Sequence, residues 1–336
     1  MAASRAPAGA DVELPTHVYF EVTNRCNLLC TTCVRTFAGV EAPADLSYDQ
    51  VVSMAEQLPV IERAVLHGVG EPLLVADLPR MVSHLKRRGA HVLFNTNATA
   101  LTRTWGERLI DAGLDELRIS LDAATAETFL AIRGTHDFDR VVRNATRMAE
   151  LLRERGAARP ALSVWATTMR ENVRELPALV RLCHAAGIPV LYLQRLVHFD
   201  TGLATREQSL VAGLREAERE ALAECERVAA ELGVSIRGPG WGQGVGVVGP
   251  PAAAERPWSA CYRPWKVAYV TANGNAMPCC IAPFSSQNFP GLVLGNVLEE
   301  GFAAVWNGER YREFRRRHRS DDPPEPCRPC GSEWSL

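Results

Sequence analysis

The sequence predicts an α/β fold, a βα unit repeated until six strands lie in one sheet or barrel. Three observations carry this reading. Short β-branched runs alternate with amphipathic helical stretches through roughly the first two hundred residues. Gly89, Gly113, Gly156 and Gly187 each follow a helical stretch, as C′ glycines do. Each candidate strand is reached from the one before through a helix, the connection that parallel neighbours require.

The strands are expected at residues 17–23, 64–68, 91–95, 116–121, 162–167 and 189–194. The helices between them are expected at 47–57, 78–88, 104–112, 138–155 and 173–186. Ser47 and Asp77 stand where N-caps belong. A long charged helix follows at about 206–232, then a Gly/Pro-rich stretch, 238–251, that reads as a connector or, alternatively, a lid. From about residue 258 a separate cysteine-bearing unit begins. The organisation is a disordered tail (1–14), the βα region (15–200), a helix and linker (201–257) and the cysteine-bearing unit (258–336).

Composition excludes several classes. At 336 residues, 47% hydrophobic and 23% charged, the chain has ordinary globular character. A net charge of -2 gives no basic footprint for nucleic acid. No apolar run is long enough for a membrane span, and the Ala-rich N-terminus lacks the apolar core of a signal peptide. Ten cysteines without a secretion signal point to metal in a reducing cytoplasm rather than to disulfides.

Cys26, Cys30 and Cys33 are spaced C-x3-C-x2-C just after the first strand, at the strand C-terminal face where such folds place chemistry. Three thiolates on one tight loop can hold three irons of a cubic [4Fe–4S] cluster, leaving the fourth iron open to a substrate or cosubstrate. Zinc is the alternative, but zinc sites recruit pairs joined by a second pair or by histidines, and no His lies between Cys26 and Cys33. The spacing is the signature of the radical S-adenosylmethionine (radical SAM) enzymes, which this chain resembles. The resemblance implies a partial (β/α)6 TIM barrel over about residues 15–200. It also implies SAM chelated at the open iron and cleaved reductively to a 5′-deoxyadenosyl radical that takes hydrogen from carbon.

The same resemblance marks cofactor positions. After the second strand, His67-Gly-Val-Gly-Glu-Pro resembles the GGEP motif that binds the SAM amino group, through Gly68, Gly70, Glu71 and Pro72, with Val69 a departure. Read alone it is a turn with an exposed Glu. Asn95 and Asn97 after strand three, and Ser120 and Asp122 after strand four, resemble positions facing the methionyl and ribose groups; ordinary turn chemistry is the other reading. Arg133 matches an arginine that pairs with the SAM carboxylate, a contact that suits guanidinium. Thr32 stands where many members carry an adenine-packing aromatic, so adenine must stack elsewhere or use backbone contacts.

The C-terminal unit supplies Cys261, Cys279, Cys280, Cys327 and Cys330. Four thiols fit zinc or a fully ligated iron–sulfur cluster. The runs Gly274-Asn-Ala-Met-Pro-Cys-Cys, Leu294-Gly-Asn-Val and Val305-Trp-Asn resemble the auxiliary-cluster extensions SPASM and its shorter form, twitch, which suits the cysteine count better. The resemblance implies a second [4Fe–4S] cluster on Cys261, Cys279, Cys327 and Cys330, with Cys280 able to replace Cys279. Cys280 is otherwise a candidate catalytic hydrogen donor, or a bystander. Cys183 and Cys225 read as packing residues, and the basic run 310–319 as a solvated helix face.

A cluster with four protein ligands can accept the electron left on a substrate radical, which argues for net two-electron oxidation. Candidates for the base are Gln194, Arg195, His198 and Arg170. The first reading of function is oxidation of an alcohol to a ketone in a polar small molecule of aminoglycoside or aminocyclitol type. A flavodoxin- or ferredoxin-type reductant would be the partner. Alternatives are epimerisation of a sugar centre with Cys280 as hydrogen donor, modification of a ribosomal peptide, or a non-enzymatic cluster scaffold. The peptide reading is set lower because about sixteen residues precede the first strand, too few for a folded leader-binding domain.

Overall fold

The computed structural model describes residues 11–39, 41–238, 256–286 and 288–330. Most of the expected tail and nearly all of the Gly/Pro-rich stretch lie outside the described residues. One sheet organises the rest. Strands β1 (His17–Phe20), β2 (Arg63–Val65), β3 (His91–Thr96), β4 (Glu116–Ser120), β5 (Ala161–Thr168), β6 (Val190–Arg195) and β7 (Ser235–Arg237) lie side by side in chain order, all parallel. The six expected strands are present; β7, three residues long, is too short to show a periodicity.

On the other side of β1 the sheet continues. Strand β8 (Val267–Val270) pairs parallel with β1 in the register His17 to Val267, and β9 (Ala276–Met277) returns antiparallel. The cysteine-bearing unit is therefore not separate from the barrel but extends its sheet. The reason is local: all four residues of β8 are buried, so the strand is covered on both faces only by joining a larger sheet.

Helices α1 (Val34–Phe37), α2 (Tyr48–Glu56), α3 (Leu78–Arg87), α4 (Arg103–Asp111), α5 (Ala126–Arg133), α6 (Phe138–Glu154), α7 (Leu176–Ala185) and α8 (Glu216–Leu232) connect or follow the parallel strands. Ser47 closes a capping box with Gln50. Asp77 does not cap α3; its carboxylate pairs with Arg80. The four C′ glycines all have positive φ. The stretch expected as one helix at 173–186 begins as a 3-10 turn, Val173–Glu175, because Pro177 cannot donate to a preceding turn. Helix α8 starts at Glu216, not near 206, since Gly213 sits at φ +112. Helix α5 was not expected; Thr125 caps it and Gly134 ends it.

Burial alternates along the strands. Val18, Phe20, Leu117, Ile119, Val164, Ala166, Leu191 and Leu193 are buried in the core shared with the helices. Tyr19, Arg118, Ser120, Ser163, Trp165 and Tyr192 occupy the other, inner face and are half-buried. There the Arg118 guanidinium lies 4.0 Å over Trp165, which stacks on Tyr192 at 3.9 Å. The loop carrying Cys26, Cys30 and Cys33 follows β1, the strand that contributes Tyr19 to this half-open face.

Helices α9 (Arg263–Lys266), α10 (Ala282–Ser285), α11 (Val297–Glu300), α12 (Phe302–Trp306) and α13 (Glu309–His318) complete the C-terminal unit. Residues 11–14, expected in the tail, are held by it: Asn307 exchanges two hydrogen bonds with the Val12 backbone, and Trp306 donates to the Glu13 carbonyl. The basic run lies on α13. Arg315 is buried and donates to the Pro264 and Trp306 carbonyls, while Arg312, Arg316 and Arg317 pair with Asp11, Glu313 and Asp322.

Candidate active site and cluster centres

The loop after β1 is pinned on all sides. Asn24 bonds both ways with the 42–44 backbone, and Thr23 donates to Asp45 at 2.6 Å. Thr31 bonds the carbonyls of Ala131 and Ile132 on α5, and Thr36 bonds the Cys30 carbonyl. Gly70 allows the turn after β2 to press against the loop: a Cβ there would lie 2.2 Å from the Thr23 carbonyl oxygen. Cys26, Cys30 and Cys33 are each partly exposed on this loop. Burial pushes the Cys33 thiol up to about 11, with Cys30 and Cys26 adding to it, and raises Cys26 as well. Three mutually interacting thiols of this kind ionise when a cationic centre binds them.

Polar groups converge on the sulfurs. Asn97 Nδ2 lies 3.8 Å from Cys26 Sγ, and Arg133 Nη1 lies 3.9 Å from Cys30 Sγ. Asn97 is itself fixed by Asn27 at 3.0 Å and Thr99 at 2.7 Å. Arg133 binds Asp122 at 2.6 Å, and Asp122 accepts from the Thr167 N–H at 2.7 Å. Asp122 and nearby thiols raise the Arg133 pKa despite its burial. Asp122 is thus the ion-pair partner of Arg133.

Glu71 departs most from the reading as an exposed carboxylate. It is 2% exposed, and its oxygens accept from Thr96 Oγ1 (2.7 Å), the Leu73 N–H (3.0 Å) and the Asn97 N–H (2.7 Å). Its carboxylate braces the β3 tip. Gly68 is required by space, because a Cβ would lie 2.0 Å from a Glu21 oxygen, and Pro72 opens a 3-10 turn. Ser120 ends β4 on the inner face. Asn95 donates its N–H to His67 Nδ1 at 3.0 Å, so the proton of His67 sits on Nε2; burial pushes that imidazole down to about 3 and keeps it neutral.

Donor set and surroundings fit the implied cofactors. Arg133 Nε, on the guanidinium that reaches Cys30, and Asn95 Oδ1, at the β3 tip, are buried without a partner, as groups awaiting a polar ligand are. Among the described residues, no three His, Cys, Asp or Glu side chains are grouped as a single metal ion would need. Tetrahedral zinc at bonds of about 2.3 Å draws its sulfurs almost into contact, whereas a cube presents its irons at separate corners.

The second thiol group assembles from three places: Cys261 after a 3-10 turn, Cys279 and Cys280 after β9, and Cys327 and Cys330 beyond α13. Cys279 is affected by Cys280, Cys327 and Cys261, and Cys327 by Cys330 and Cys261, so all five share one locality. Arg263 stands among them and is held charged by Cys280, Cys279, Cys261 and Cys330. Cys280 also reaches the barrel: burial first, then the Cys280 thiol, holds the proton on Tyr19, an inner-face residue of β1. Cys183 and Cys225 are fully buried. Of the candidate bases, Arg170 is occupied, donating twice to Glu218 at 2.6 and 2.7 Å. Sequence reasoning missed Asn27, Thr99, Glu21 and Tyr19; only the Asn after Cys26, inside the motif, offered a signal.

Residues 20–183 match the radical SAM superfamily, and residues 261–331 match the iron–sulfur cluster-binding SPASM domain. The chain is 26% identical over 330 residues to the PqqA peptide cyclase of Granulibacter bethesdensis, covering 95% of this chain and 80% of that one. It is 23% identical over 310 residues to a tungsten-containing aldehyde ferredoxin oxidoreductase cofactor-modifying protein of Pyrococcus furiosus, covering 89% and 83%. Streptococcus suis SuiB bound to S-adenosylmethionine superposes with a TM-score of 0.69 at 15% identity, over 90% of this chain and 68% of that one. The same protein bound to its precursor peptide SuiA gives 0.65 at 14% identity, over 90% and 67%. Fold, thiol trio and C-terminal thiol group agree with these matches: the chain carries a radical SAM domain joined to a SPASM iron–sulfur domain, the pairing that uses S-adenosylmethionine and two iron–sulfur clusters.

Proposed function

We propose that the chain is a radical SAM enzyme that oxidatively modifies a peptide. The observation that carries the reading is the joint of the two thiol groups at one chamber. Strand β8 pairs with β1, and Cys280 meets Tyr19 on the inner face, so both groups serve the same half-open face. The relatives favour a peptide: one is named a peptide cyclase, and one is solved with a precursor peptide. They give no support to oxidation of an aminoglycoside or aminocyclitol alcohol.

Bound S-adenosylmethionine supplies the radical that removes hydrogen from carbon. The chain's own residues orient and protect. Cys26, Cys30 and Cys33 hold the first cluster, with N–H groups of Asn97 and Arg133 directed at its sulfur ligands. Gly68, Gly70, Pro72, Asn95, Asn97, Ser120 and Arg133 shape the cofactor pocket, and Glu71 and Asp122 fix its walls. Cys261, Cys279, Cys327 and Cys330 hold the second cluster. Cross-linking would break two bonds to hydrogen and form one bond between two peptide atoms: one hydrogen would leave as an atom to the SAM-derived radical, the other as a proton to solvent or a base, and a cluster held by these four thiols would be a suitable acceptor for the remaining electron. The product is two hydrogens lighter. A flavodoxin- or ferredoxin-type protein supplies the starting electron.

The test is anaerobic reconstitution with dithionite, SAM and short peptides encoded beside the gene. A peptide product two mass units lighter supports the reading. Conversion of aminocyclitols with peptides untouched would overturn it. The contact of Cys280 with Tyr19 favours a second reading, in which Cys280 returns a hydrogen atom to a substrate radical. That reading requires a product isobaric with substrate in H2O and one mass unit heavier in D2O, and turnover arrested after abstraction in Cys280→Ala.

A further inference from the structure

Glu21 has so far entered only as the carboxylate against which Gly68 fits. It follows β1, is 2% exposed, and accepts three hydrogen bonds from three separate segments. The Val69 N–H (2.8 Å) comes from the turn that opens the SAM motif, the Tyr269 hydroxyl (2.5 Å) from β8, and the Ala272 N–H (3.2 Å) from the β8–β9 turn that leads to Cys279 and Cys280. Gly68 is shaped around this junction, since a Cβ would meet both Glu21 Oε2 at 2.0 Å and the Tyr269 hydroxyl at 2.2 Å.

The β1–β8 ladder, residues 17–20 on 267–270, already joins the two strands, so the acid is not what pairs them; it answers the Val69 and Ala272 N–H groups and the Tyr269 hydroxyl, which an apolar residue would leave buried without an acceptor. What the carboxylate adds is direction. Ionised, it only accepts, so it orients one phenol and two backbone N–H groups at once. Tyr269, so held, stacks on Tyr19 at 5.8 Å, and Tyr19 meets the His67 ring edge at 5.8 Å and the Cys280 thiol. One side chain thereby links the SAM turn, the inner face and the hairpin of the second thiol group.

We infer that Glu21, through Tyr269, is a positioning residue that sets the hairpin of the second cluster against the SAM-binding turn, so that substrate oxidation stays coupled to SAM cleavage. The inference rests on the reading that both clusters serve one reaction.

The test uses the full chain with both clusters reconstituted, comparing Glu21→Gln, Tyr269→Phe and the double variant. Pulsed EPR on the reduced protein without substrate reads the spacing of the two clusters. The expected result is full iron content with a broadened or shifted distance in both single variants, and a double variant no worse than the worse single. With substrate, 5′-deoxyadenosine formed per product should rise at least fivefold. An unchanged distance in Tyr269→Phe, which keeps the ring and its stack, would overturn the inference even if Glu21→Gln fails to fold. The substrate-free measurement stands whether or not a peptide is the substrate, so failure of the peptide reading remains distinct from failure of this one.

Discussion

Replacing Glu71 by Gln removes one acceptor oxygen from a buried site where every neighbour donates. Oε1 accepts from the Leu73 N–H and Thr96 Oγ1, and Oε2 from the Asn97 N–H. The threonine hydroxyl can turn to accept, but neither backbone N–H can. Whichever way the new amide points, its NH2 faces one of them. The variant therefore loses a charge-assisted bond worth about 1.5–3 kcal/mol and leaves a buried donor unsatisfied, overlapping costs that together come to about 2–4 kcal/mol. Because Asn97 also reaches Asn27 and Cys26, the disturbance passes into the cluster loop. Anaerobic urea denaturation followed by circular dichroism should show a lower midpoint at unchanged slope. Formation of 5′-deoxyadenosine should fall at least tenfold with SAM at saturation. A stability loss below about 0.5 kcal/mol, the size of an ordinary surface substitution, with normal SAM cleavage would refute the brace and return Glu71 to a direct ligand role.

Arg133→Ala strips the partner from Asp122, whose side chain is 3% exposed, and should cost about 3–5 kcal/mol in the same denaturation assay. Gly70→Ala drives a Cβ to within 2.2 and 2.6 Å of the Thr23 and Arg25 carbonyl oxygens, backbone that cannot swing aside. It should destabilise by about 1–3 kcal/mol and lower iron retention at the N-terminal trio on iron analysis. Burial lifts the Glu21 carboxyl from 4.5 to about 7. Its stabilising contribution is then complete below about 4.5 and lost as pH rises through 7, a swing of about 3 kcal/mol absent from Glu21→Gln in urea melts across that range. Cys279→Ala should lose the iron of the second cluster while Cys280→Ala keeps it; equal loss in both would make Cys280 a ligand.

The barrel strands and most helices were legible because their signals are local. Alternation along β4 and β5, the capping box at Ser47 and the left-handed glycines each depend on a few neighbouring residues. The strands β7 and β9 were not legible: they hold three and two residues, too few for alternation to repeat, and neither lies within the run of βα units that placed the equally short β2. Asp77 carried a cap signal that its pairing with Arg80 overrode. At the site, Cys26, Cys30 and Cys33 were readable because one loop supplies all three ligands. The partners of Glu71 and Asp122 were not readable, because a motif shows which residues are present but not which way they turn.

What the chain's order of residues determined alone is the repeating βα unit, the thiol trio on its first loop and the supply of thiols at the far end, all properties of short segments. Tertiary structure alone decided that β8 would close onto β1, that Glu21 would tie Val69 to Tyr269 and Ala272, and that Arg133 would claim Asp122. Those partners lie 11 to 251 residues apart along the chain. No local preference chooses among partners so separated. The choice is made when burial removes water and each polar group must be answered by whichever group packing has brought beside it.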